Sequence, residues 1–64
     1  MNNYVVEVIQ HNYPSGEAIC KNTFMFFDFD EAMAFSKSKT YRGKDYTMTA
    51  HGYMFQDNHL VLLW

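Results

Sequence analysis

One cysteine, one proline and three glycines are the whole supply of three residue types on which small domains often lean. With Cys20 alone, no disulfide can close within the chain, and a zinc site built from several cysteines is excluded. The same scarcity suits a reducing compartment, so a cytoplasmic location is expected. So little glycine and proline, beside 19% aromatic residues, is also the wrong composition for a disordered segment. Long apolar runs are missing too. The longest, Leu60 to Trp64, falls far short of the ~20 residues a membrane helix requires, so no membrane partner is expected. Met1-Asn2-Asn3 has no basic head and Glu7 interrupts Tyr4 to Ile9, which is not the pattern of a secretory leader. Repeats and linkers are likewise absent. With Met1 as start and Trp64 as end, residues 1–64 read as one compact, soluble domain that stands alone.

The chain has 64 residues, and one this short buries only about 60% of its unfolded surface. A water-excluding catalytic cleft is hard to build at that size without a metal, disulfides or a second subunit.

What is present alternates. Tyr4 to His11 is β-branched and aromatic, with Tyr4, Val6 and Val8 on one face and Val5, Glu7 and Ile9 on the other, as in a strand. Tyr13-Pro14-Ser15-Gly16 has turn spacing. Ala18 to Phe27 resumes extended structure, with Cys20, Phe24 and Phe26 on one face and Lys21 and Thr23 on the other. The stretch FDFDEAMAFSKSK then changes period. Asp28 suits an N-cap, Glu31 sits three residues on, and Asp28, Asp30 and Glu31 place negative charge at the positive end of a helix dipole. Phe29, Ala32, Met33 and Ser36 form a stripe with Phe35 at its edge. Basic residues gather at the far end, and Gly43 is the expected stop.

Asp45 to Phe55 alternates again, with Tyr46, Met48, Ala50 and Met54 on one face and Thr47, Thr49, His51 and Tyr53 on the other. Gly52 marks a bulge or a close backbone approach. Gln56-Asp57-Asn58 is a tight turn. His59 to Trp64 is apolar on both faces, which places it mid-sheet or under a partner. The expected fold is α+β, in the order β-β-α-β-β: a four-stranded, mainly antiparallel sheet with one helix packed on one face. One helix covers only part of such a sheet. By alternation Val5, Ile9, Tyr53, Val61 and Leu63 fall on the other face and are the candidates for self-association.

Catalytic constellations do not emerge. His11, His51 and His59 come from separate strands without ligand spacing, so no metal site is expected. Cys20 sits mid-strand as a small hydrophobe, and the acids at 28–31 already have capping roles. No phosphate loop or nucleophile elbow occurs. No catalytic residue and no cofactor is assigned, and the chain is not expected to be an enzyme. The uneven feature is KSKTYRGK, which holds four of the five Lys and Arg residues. Lys37, Lys39, Tyr41, Arg42 and Lys44 are the candidates for partner contact. Their positive charge suits docking on an acidic protein surface; as the alternative, their spacing by hydroxyls and a tyrosine suits phosphate contact and stacking on nucleic acid. A net charge of −2 weighs against nucleic acid.

In size and element order the whole chain resembles the small phage-encoded proteins that inhibit host defence, anti-CRISPR proteins among them. That resemblance implies a non-catalytic, dimeric α+β domain that occludes a partner's surface in the host cytoplasm. It rests on layout, and no functional residue is carried over from it. The expected function is accordingly a small protein-binding module acting as a homodimer.

Overall fold

The computed structural model describes residues 3–12 and 17–64, with the side chains of residues 18–20 outside the description. The expected turn at 13–16 and the side chain of Cys20 lie outside the described residues. The elements are β1 (Asn3–Asn12), β2 (Ala18–Phe26), α1 (Phe29–Lys39), β3 (Tyr41–Arg42), β4 (Tyr46–Gln56) and β5 (His59–Leu62). The α+β fold and its β-β-α-β-β order are as expected. The two-residue β3, drawn from the basic segment, brings the sheet to five strands.

All pairings are antiparallel. β1 and β4 lie side by side at the centre, with β2 outside β1. β3 and β5 share the outer side of β4, β3 near its start and β5 near its end. β5 is therefore an edge strand; of the two places its doubly apolar sequence suggests, mid-sheet or under a partner, it does not take the first. Its position follows from the turn: Asp57 (φ 51°) and Asn58 (φ 67°) make a two-residue reversal that returns β5 onto β4, whose other side β1 already holds.

Asp28 caps α1, its Oδ2 accepting from the Glu31 N–H at 2.9 Å. The helix stops earlier than Gly43. Thr40 turns extended (φ −78°, ψ 127°), and hydroxyls close the last turn: Ser38 Oγ donates to Phe35 O at 2.7 Å and Thr40 Oγ1 to Ser36 O at 2.9 Å. With those carbonyls satisfied, the helix ends without a left-handed residue.

The core lies between α1 and one sheet face. Tyr4, Val6, Val8 and Ala32 are buried, with Phe26, Phe35, Met48, Ala50, Met54 and Trp64 packed around them. Phe35 stacks against Phe24 and Phe26, with centroids 4.7 and 5.0 Å apart. Gly52 and Trp64 fix the remaining corner. Leu63 N and Trp64 N both donate to Gly52 O, at 2.7 and 3.3 Å, and Gly52 N donates to Trp64 O at 3.2 Å. Two residues thus oppose one, which is a bulge. The indole lies directly over Gly52, where a Cβ would come within 2.0 Å of it. Its Nε1 donates to Ser36 Oγ at 3.0 Å, and its ring meets Phe29 edge to face at 5.5 Å.

Candidate interaction surfaces

Residues opposite one another in an antiparallel pair share a face, so the registers divide the sheet into two sides. The side without the helix is ordered in rows across the strands. Met25, Val5, Tyr53 and Leu62 form one row spanning β2, β1, β4 and β5. Asn3, Phe55 and Leu60 form the next, toward the end of the sheet where α1 begins. In the other direction the rows turn polar: Thr23, Glu7 and His51; then Lys21, Ile9 and Thr49; then His11, Thr47 and Arg42. Val5 is buried although the helix lies on the opposite face, because Met25 and Tyr53 flank it within its row. Its neighbours are open. Met25 is 67% exposed, Leu62 59%, Leu60 48% and Phe55 47%, and Phe27, at the same end, 71%.

Of the expected self-association residues, Val5, Ile9 and Tyr53 stand on this face. Val61 does not: it opposes Met54, which packs toward the helix. Leu63 is not in a strand but in the bulge against Gly52. The bulge is the reason for both misplacements. Trp64 packs under the helix, and counting back from it by twos puts Leu62 and Leu60 inside as well. The extra residue at the bulge shifts that count, so Leu60 and Leu62 face outward and Val61 inward. Met25 and Phe55 belong to the same surface without having been among the candidates, although alternation from Thr23 and Tyr53 places both on this face.

The basic segment is exposed. Lys37 and Lys39 occupy the last turn of α1, Tyr41 and Arg42 form β3, and Lys44 lies in the link to β4. Tyr41 is committed internally, its ring 4.9 Å from that of Tyr46 and lying over Gly43. Lys39 Nζ stands 5.4 Å from the centre of the Phe35 ring. Lys21 pairs instead with Glu7, at 3.1 Å across the sheet face.

Topology sorts the charges along the strand direction. The helix starts where β2 ends, beside Tyr4, and finishes where β3 begins, beside Thr47 and Met48. Lys37, Lys39, Arg42 and Lys44 therefore gather at one end, with Lys21 on the same half of the sheet; Glu17 and Asp45 lie among them. Asp28, Asp30, Glu31 and the Asp57 turn occupy the other end, beside the apolar rows.

The histidines are dispersed. His51 opposes Glu7, His11 lies two rows away opposite Thr47, and His59 sits at the β4–β5 turn opposite Gln56. No group of three metal-ligating side chains converges, and no enclosed cavity occurs, among the described residues. No helix of the described residues is long and apolar enough to cross a membrane.

Compared with protein-family models, with curated proteins and with solved structures, the chain has no significant match in any of the three.

Proposed function

We propose that this chain is a non-catalytic protein-binding module that acts as a homodimer and works by covering a partner's surface. The observation that carries the reading is the apolar row Met25–Val5–Tyr53–Leu62, extended by Phe55 and Leu60, on a sheet face that no other element of the described residues covers. Exposed apolar patches of several hundred Å² mark association surfaces in folded proteins. The basic end, with Lys37, Lys39, Arg42 and Lys44, then makes the contact with an acidic partner surface. By its likeness in size and layout to phage-encoded inhibitors of host defence, that partner is a component of the host's defence machinery, met in the host cytoplasm.

Light scattering at micromolar concentrations tests the self-association. A dimer mass is expected for the native chain and a monomer mass for Leu62→Glu. A native chain that stays monomeric up to ~100 μM refutes the dimer. Retention of a single- or double-stranded nucleic-acid probe by the basic end, weakening steeply with salt and lost in Lys39→Ala and Arg42→Ala, would instead favour the nucleic-acid reading.

A further inference from the structure

The uncovered face is apolar in only one half, and this asymmetry dictates how a partner copy can sit on it. We infer that a second copy of this chain stacks on the two apolar rows with its strands antiparallel to the first, so that the two basic ends project in opposite directions. The inference rests on the homodimer proposed above and adds its geometry.

Area supports a second copy. At about 200 Å² for a large side chain, the exposed parts of Met25, Phe55, Leu60 and Leu62 amount to roughly 450 Å² per chain, and Phe27, at the same end but outside the strand pairing, brings the upper limit to roughly 600 Å². Two copies together reach at most about 1,200 Å², the low end of specific protein–protein interfaces. The patch is also self-complementary in kind, hydrocarbon and aromatic on both sides, as an isologous contact requires.

Charge decides the orientation. A two-fold axis along the strands would lay polar half on polar half. It would take the Glu7–Lys21 pair out of water and set the His11–Thr47–Arg42 row of each chain against that of the other. Covering paired and like charges in that way is costly. An axis across the strands, passing through the apolar rows, buries only those rows and leaves each polar half in water. It also carries the Asp57 turn of each chain toward the half of its partner that bears His51 and Arg42. Aligned packing of two sheet faces about 10 Å apart accommodates this arrangement.

The test is the dimer dissociation constant, measured by sedimentation equilibrium, for the native chain, Leu62→Glu, Met25→Glu and Asp57→Lys. Leu62 and Met25 are mostly exposed, so their variants are expected to retain the native far-ultraviolet dichroism and Trp64 emission while becoming monomeric. Asp57→Lys is expected to weaken the dimer by about two- to fivefold, because the partner half it faces keeps a net positive charge when Lys21, Lys37, Lys39, Arg42 and Lys44 are set against Glu7, Glu17 and Asp45. The co-directional arrangement gives the opposite sign, because there Asp57 lies over its partner's acidic end and its reversal relieves repulsion. A native dimer that tightens in Asp57→Lys overturns the orientation and leaves the proposed homodimer standing. A native chain that remains monomeric at ~100 μM, an affinity weaker than about −5.5 kcal/mol, overturns both.

Discussion

Replacing Gly52 by alanine should cost more than the same change at Gly43. The added Cβ would lie 2.0 Å from Trp64 Cε2 and 2.1 Å from Cζ2, whereas ordinary contact begins at 3.4 Å. The indole must therefore retreat by about 1.4 Å or swing out of the core. Retreat stretches the 3.0 Å bond to Ser36 Oγ and separates the edge-to-face contact with Phe29. Overpacking costs about 1–3 kcal/mol, a lost hydrogen bond about 1 and a lost aromatic pair about 1. These terms overlap, so the net loss should be about 2–4 kcal/mol. A 64-residue domain has only about 3–10 kcal/mol in all, and the melting temperature should fall by roughly 10–25 °C. Trp64 is the only tryptophan, so its fluorescence reports both the melt and the local packing. Gly43→Ala is the control: its Cβ meets the Tyr41 ring at 2.5 Å, but that half-exposed side chain can rotate away at a cost under ~1 kcal/mol. Equal melting temperatures for Gly52→Ala and the native chain, with unshifted emission, would refute the proposed packing of Trp64 on the sheet.

Ser36→Ala removes the acceptor for Trp64 Nε1 and should cost about 1–3 kcal/mol in urea denaturation; no change would mean that the indole N–H finds another partner. Asp28→Ala removes the N-cap of α1 and should cost about 1 kcal/mol, with Asp28→Ser or Asp28→Asn recovering most of it; loss that neither restores would place the role of Asp28 elsewhere. Asn58→Gly relieves a side chain held at φ 67° and should stabilise the chain by about 0.4–1 kcal/mol, read in the same titration; a lower midpoint would show that the Asn58 side chain contributes more than its backbone strain costs.

Alternation and local chemistry carry most of the fold. The two faces of β1 and β4, the Asp28 cap and the Asp57-Asn58 reversal each depend on residues within a few positions of one another, and such signals are readable along the chain. The special standing of Gly52 is readable too, because a glycine inside a strand marks a bulge or a place where another group presses against the backbone. The consequence of that glycine is not readable. The bulge forms between Gly52 and two residues more than ten positions away, and it moves the side-chain phase of β5 by one residue. Simple alternation therefore puts Val61 and Leu63 outward, where Leu60 and Leu62 stand. The end of α1 departs from expectation for a different reason. A glycine stop is only one way to satisfy terminal carbonyls, and the Ser38 and Thr40 hydroxyls supply another. Met25 and Phe55 need no structure to find, only the same alternation carried further.

The separation of charge is only partly legible in the linear sequence, where the acids at 28–31 and the basic cluster at 37–44 mark the two ends of one helix. Lys21 stands well apart from the cluster at 37–44, and Asp57 well apart from Asp28, yet pairing and helix direction bring each pair to a common end. The same geometry ties this polarity to the thinness of the molecule. Among the described residues Val6 is the largest fully buried side chain, and α1 is the one layer laid over the sheet. A sheet covered on one side in this way leaves its other face to solvent, and here only the basic half of that face is composed for water. The apolar half gains by leaving water, and the surrounding charges fix the direction from which a cover can approach. The far face is thus divided between hydrocarbon rows and charged rows, and the proposed self-association and partner contact both rest on that one division.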